Sequence, residues 1–329
     1  MVVHYFMLEI LSELHQEIDL PKRFNSDTMY GFLGQALTPE GNIRFRTIDL
    51  NFGGLQMIEP VGVVVLSNLV EFLRLAGVKG NLRGLWGEGT GGVGNKAVKY
   101  LDDSGFFVRY HNGKNLWGNA QCHLHTLPLT LVASLDTFKF LNNTMLPWIA
   151  RTLNTSEDSL ATVRVSLEEI LQNVGDHSGV QVGCVHAQFS PESGTLEIAI
   201  SDFGVGIPTK VREFASSGIQ TKFALSPDMA DADALRLACQ QGFTTKSNVR
   251  NRGAGLPVLL SVVTGRDRGN VWIISGQGAV SAVHRDGASK ITARTKTAVY
   301  PGTLVRVILK ANVVKDFEQD IEQQEFSWT

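Results

Sequence analysis

Apolar and polar positions alternate along the chain with two periods, and these divide it into helices and strands. The stretch "SLEEILQNVGDHS", Ser166 to Ser178, repeats Leu167, Ile170, Leu171 and Val174 at spacings of three and four, which predicts the end of a helix. On such a helix Glu169 and Asn173 stand one turn apart on a shared face, Asp176 follows about a turn later, and His177 extends that polar edge. Further on, "LEIAIS" alternates residue by residue and predicts a half-buried strand that stops at Asp202. "VQVGCVHAQF" predicts its hairpin partner, with the turn at "SPESG". "DADALRLACQQG" predicts a helix, while "NVWIISG", "AVSAVHR" and "GTLVRVIL" predict three closing strands.

The N-terminal half has its own rhythm. Leu8, Leu11 and Ile18 suit an amphipathic helix within an initial segment, 1–42. Over 43–110 a separate α/β unit is legible, starting with the strand "NIRFRTIDLNF" and the helix "VGVVVLSNLVEFLRLAG", closed by Gly77. "VKGNLRGLW" predicts a strand, "NKAVKYLDDSG" a short helix, and "FFVRY" a last strand. A connecting segment, 111–153, contains "LDTFKFLNNTMLPWIARTLN", a helix with Pro147 inside or breaking it and with Phe138 and Trp148 suited to packing. The second domain runs over 154–312, and an acidic tail over 313–329. The fold class expected is therefore α/β in two domains.

Composition narrows the class of protein. A chain of 329 residues, 43% hydrophobic and 19% charged, has the balance of a soluble globular protein with room for two cores. A net charge of −2 gives no global attraction to nucleic acid or to an anionic membrane, so neither is an expected partner. Cys122, Cys184 and Cys239 are far apart and in no metal spacing, which suits a reduced, cytoplasmic setting. No apolar run reaches the roughly 18 residues of a spanning helix, and Glu9 and Glu13 interrupt the N-terminal apolar stretch, a poor signal peptide.

Three motifs carry chemistry. A helix edge offering Glu169, Asn173 and Asp176 suits a hydrated divalent cation and one activated water. Immediately after the strand ending at Asp202, Gly204 and Gly206 let the backbone approach a ligand, and Pro208 can open the next helix. In "GFTTKSNVRNRGAGLPVLLSVV", Gly253 and Gly255 precede an apolar helix whose first N–H groups form an anion site, with Lys246, Arg250 and Arg252 crowding the same loop.

In this order the motifs resemble the GHKL ATPases, the fold shared by histidine-kinase catalytic domains, gyrase-type ATPases and anti-sigma-factor kinases. The family's E-x-x-x-N is met by Glu169 and Asn173, its D-x-G-x-G by Asp202, Gly204 and Gly206, its G-x-G-L by Gly253, Gly255 and Leu256, and its late G-T by Gly302 and Thr303. The resemblance implies a mixed sheet with helices on one face, and ATP and Mg2+ as cofactors. It further implies that Glu169 polarises the attacking water, Asn173 holds the metal, Asp202 accepts from the adenine amino group, and the second glycine box wraps the phosphates. Asp176, His177, Lys246 and Thr303 complete the expected nucleotide contacts, with 244–252 as a lid ordered by the γ-phosphate. Pro257 stands where the family usually has a small residue. The N-terminal stretch "LQMIEPVGVVVLSNLVEFLRLAG" resembles the STAS domains of anti-sigma-factor antagonists, with Glu59, Pro60, Val61 and Gly62 at their D-S-x-G; Pro60 has no hydroxyl to phosphorylate.

Two further patterns are weaker. "GEGTGGVG" contains G-x-G-x-x-G at Gly87, Gly89 and Gly92, without the acidic residue that a dinucleotide site places about 20 positions on. His123 and Pro128 have the spacing of a phosphoacceptor box, but Leu124 replaces its acidic residue. The expected function is an Mg-dependent ATP-binding regulatory protein that hydrolyses ATP slowly and couples lid ordering to a protein partner, with a homodimer as one open assembly. A serine protein kinase of the anti-sigma type and an ATP-gated binding switch without turnover are the alternatives.

Overall fold

The structure is a computed structural model that describes residues 15–86, 95–118, 120–133, 136–177, 182–218, 221–245, 255–266 and 268–311. The chain is α/β, with parallel pairing in one part and antiparallel pairing in another. It divides into two compact units, Met1–Gln121 and Cys122–Thr329.

In the first unit, strands β1 (His15–Asp19), β3 (Thr47–Asn51) and β5 (Leu82–Arg83) form a parallel sheet in the order β1-β3-β5. β2 (Arg23–Phe24) and β4 (Met57–Ile58) pair separately. The helices are α1 (Met29–Ala36), α2 (Pro60–Leu75), α3 (Lys96–Asp103) and α4 (Phe106–Tyr110). Pro60 opens α2 in its first turn, where its missing N–H costs nothing. Val61, Val63, Val64, Val65, Leu66 and Leu69 of that helix are all buried. Gly62 is required there, because a Cβ would lie 2.6 Å from the Phe24 carbonyl oxygen.

Two expectations change in this unit. Ile18 belongs to β1, where it is buried and paired with Leu50, so sheet pairing overrides its helical spacing. "FFVRY" is the helix α4 rather than a strand. Phe106 and Tyr110, one turn apart, bring their rings to 4.8 Å, and the Tyr110 hydroxyl meets Ser67 Oγ at 2.7 Å. Aromatic propensity favours a strand, but these tertiary contacts reward a helix.

The second unit is a five-stranded sheet in the order β6-β7-β8-β10-β9, built from β6 (Thr126–Ala133), β7 (Val182–Ser190), β8 (Thr195–Asp202), β9 (Asn270–Arg285) and β10 (Ala288–Lys310). Every pairing in it is antiparallel, where the resemblance implies a mixed sheet. The reason is connectivity. β7–β8 and β9–β10 are hairpins, and the long connection from β8 to β9 leaves β10 between them. The β9–β10 turn is Asp286-Gly287, both at positive φ, as a tight two-residue hairpin requires.

The connecting segment contributes to this unit's core instead of merely linking. Thr126–Ala133 pairs with β7 as an edge strand. Helix α5 (Thr137–Phe140), a π-helical turn over Leu141–Met145 and helix α6 (Leu146–Leu153) follow, with Pro147 in the first turn of α6. Trp148 is buried as its sequence context suggests, but Phe138 is 60% exposed. Next come α7 (Ala161–His177), α8 (Ile207–Ser216), α9 (Asp231–Ala238) and α10 (Gly255–Ser261), the last continuing into a π-helical turn over Val262–Arg266. "NVWIISG" and "AVSAVHR" are one continuous strand, β9, and β10 extends well before "GTLVRVIL".

One face of the sheet carries the helices. Ile198 and Ile200 of β8, Val305 and Val307 of β10, and Val271 and Ile273 of β9 share a core with Leu167, Ile170 and Leu171 of α7 and with Leu256, Leu259 and Leu260 of α10. At roughly 1.5–3 kcal/mol per buried aliphatic side chain, this layer is the main force holding α7 and α10 to the strand ends.

Candidate functional site

The site grows from one row across three strands. Asp202, the last residue of β8, pairs with Thr303 of β10, and Thr303 pairs with Ser275 of β9. Asp202 shares the parity of Ile198 and Ile200, Thr303 that of Val305 and Val307, and Ser275 that of Ile273, so all three side chains stand on the helix-bearing face. The chain ends β8 here because Gly204 and Gly206 turn it into α8, with Gly206 at φ 77° and Pro208 in the first helical turn.

Ser275 ties these parts together. Its Oγ accepts from the Ile207 N–H at 2.9 Å, donates to the Gly302 carbonyl at 2.6 Å, and lies 3.4 Å from Thr303 Oγ1. Gly302, at φ 103°, leaves no room for a side chain: a Cβ would crowd the Asp202 carbonyl oxygen and lie 2.5 Å from the Gly204 nitrogen and 2.7 Å from Asp202 Oδ1. Behind the row, Ser201 Oγ meets the Tyr300 hydroxyl at 2.5 Å and donates to the Thr303 carbonyl at 3.0 Å. Phe203 lies edge-on to Tyr300 at 5.5 Å.

Burial controls the charge of Asp202. With 3% of its surface exposed, desolvation pushes its carboxyl up to about 8, partly opposed by a hydrogen bond from the Thr303 backbone. A group in this setting changes protonation readily when a polar ligand supplies a hydrogen bond. Farther along the structure, Arg212 of α8 pairs with Asp231 at the start of α9 at 2.5 Å, and Asp231 accepts from the Gln277 N–H at 2.7 Å. This locks α8, α9 and the turn after Ser275 as one support.

The expected site residues fall into four groups. Asp202, Gly204, Gly206, Gly302 and Thr303 come together, although Asp202 and Thr303 are distant in sequence. Glu169 is half-buried on α7, which also carries Asn173, Asp176 and His177 in its last turns; the side chains of those three lie outside the described residues. Gly255 begins α10, and Leu256 is buried in the shared core. Lys246, Gly253 and most of the expected lid lie outside the described residues, as does the "GEGTGGVG" stretch. Ser275 is the residue that sequence reasoning missed; a lone serine in an alternating strand gives no signal of its two backbone partners.

No family model matches the chain, and no curated protein matches it. Among solved structures it is similar to the N-terminal domain of a DNA repair protein, at 18% identity over 39% of this chain, with a TM-score of 0.16. The match spans 32% of that structure's own length. A likeness this distant carries no argument about fold or function. Among the described residues no helix is long and apolar enough to cross a membrane.

Proposed function

We propose that the second unit binds ATP with magnesium as a GHKL-type regulatory module. The observation that carries the reading is the junction of Asp202 with Thr303, Gly302 and Gly204: a buried carboxyl beside a backbone cradle too tight for side chains. A desolvated carboxyl at a strand end fits an exocyclic amine, whose N–H it would accept.

Around that centre the chain's residues divide the work. Asn173 would hold the metal, which supplies charge neutralisation for the phosphates. Glu169, on the helix packed over the same sheet face, would orient the attacking water and take its proton. Gly255 and Leu256 open α10 against α7, so a phosphate contact there would be felt by the helix that carries Glu169. Such coupling suits a regulatory protein partner, read out through slow turnover.

The test is a titration of fluorescent ATP analogue with and without magnesium, on the wild type and on Asn173→Ala. Tighter binding with the metal, and loss of that gain in the variant, is the expected result. Equal affinity under all conditions would remove Asn173 from the metal, and no binding at all would remove the nucleotide.

A further inference from the structure

The β9–β10 hairpin extends beyond the rest of its sheet. β8 pairs with β10 only over Thr303–Lys310, whereas β9 pairs with β10 back to Ala288. Over Ala288–Arg294, β10 therefore has β9 along one side and, among the described residues, no strand along the other. No backbone hydrogen bond reaches that side among the described residues. A strand in this position presents alternate N–H and C=O groups outward, a template for another strand.

The two faces of the hairpin differ sharply. On one, Val280 and Ala282 are buried in the core and Ala293 packs against it, which anchors the ribbon; Ile291, on the same face nearer the turn, is 55% exposed. On the other, Lys290, Thr292 and Arg294 are exposed and paired with Val283, Ser281 and Ala279. From Arg285 to Lys296 the chain carries four cations, Arg285, Lys290, Arg294 and Lys296, against the single carboxylate of Asp286, in a protein of net charge −2. Asp286 is engaged by Lys290 at 3.0 Å. Arg294 and Lys296 have no ion pair among the described residues.

A lysine on an open edge often serves only to deter unwanted pairing. That role needs one charge, whereas here cations alternate along one face beside an exposed isoleucine on the other. We infer that the open edge of β10 over Ala288–Arg294 docks an extended acidic segment of a partner protein by strand addition. The added strand hydrogen-bonds to β10 and places carboxylates beside Lys290 and Arg294, and its alternate apolar residues lie beside Ile291. This surface is separate from the nucleotide reading and does not depend on it.

The test uses the full chain and a labelled eight-residue peptide of alternating Glu and Val. Wild type should bind it, with affinity falling as salt rises. Lys290→Glu with Arg294→Glu should weaken binding by about tenfold or more, and should instead bind an alternating Lys–Val peptide. Both substitutions are on exposed side chains, so an unchanged melting temperature confirms that the variant folds. N-methylation of alternate peptide amides should abolish binding in one phase and spare it in the other, since only one set of amides faces β10. No binding by wild type would leave the cations as edge guards and overturn the inference. So would equal loss or equal retention for both methylated peptides, or a duplex oligonucleotide that binds as well as the peptide, since a general polyanion site would then suffice.

Discussion

Thr303 lies directly across the β8–β10 ladder from Asp202, and its backbone N–H donates to the Asp202 carboxyl. This contact opposes the desolvation that otherwise pushes the side chain toward its neutral form. A ligand N–H arriving at the same carboxyl would add to it.

Asp202 should therefore select adenine in the proposed site. Loss of a charge-assisted hydrogen bond costs about 1.5–3 kcal/mol, so Asp202→Asn should weaken ATP binding by about tenfold or more. Guanine offers no amine at the equivalent position, and GTP should compete poorly with the wild type. Competition titrations with both nucleotides check this; equal competition by GTP would remove Asp202 from base recognition.

The same carboxyl predicts a pH dependence. Its value in the folded protein, about 8, lies above the ordinary 3.8, so the protonated form favours folding. The stability it confers is complete below about pH 4 and is lost as pH rises through 8. Between pH 5 and 8, urea midpoints of the wild type should decline relative to those of Asp202→Asn. ATP affinity should move the other way, rising toward pH 8 by up to about tenfold per unit, because the amine needs the ionised acceptor. Affinity that is flat with pH in the wild type would separate Asp202 from the nucleotide.

Gly302→Ala should be severely destabilising. The residue sits at φ 103°, and a methyl group would press on backbone atoms of Asp202 and Gly204, which have no flexible end to move aside. Backbone strain of this kind costs on the order of 1–3 kcal/mol before any steric clash is added. A denaturant midpoint within error of the wild type would show that β10 and the turn after β8 can separate without cost.

Glu169 should matter for turnover and little for binding. A general base contributes roughly 10²–10⁴-fold, while its contact with a bound nucleotide runs only through water. Glu169→Ala should keep ATP affinity within a few-fold and lose nearly all phosphate release. His177, two turns farther along α7, is the rival base because its ordinary titration lies near neutrality. Side-by-side phosphate release from Glu169→Ala and His177→Ala decides between them; normal turnover in the glutamate variant with loss in the histidine variant reverses the roles.

Local pattern was enough for many elements. The alternation in "LEIAIS" fixes β8 and its end at Asp202, and the spacing of Leu167, Ile170 and Leu171 fixes the buried stripe of α7. The apolar run after Pro60 gives α2, and Pro208 marks the start of α8. These succeed because burial on one face imposes a period that neighbouring residues must obey. Where partners are remote, pattern alone failed. Ile18 took its state from pairing with β3, "FFVRY" from packing of its aromatic rings on Phe52 and Ser67, and Thr126–Ala133 from the edge that β7 offers. The glycine of "YPGT" is readable as a turn, but only the fold sets it against Asp202. Ser275 is the sharpest case. Its sequence neighbours say strand, and its hydrogen bonds to Ile207 and Gly302 exist only because β9 and β10 bring three separated segments to one row. Sequence determined which stretches could form helices and strands and which polar groups each of them carries. Tertiary structure decided which of those groups meet, because hydrogen bonds and burial between remote residues are properties of the folded chain alone.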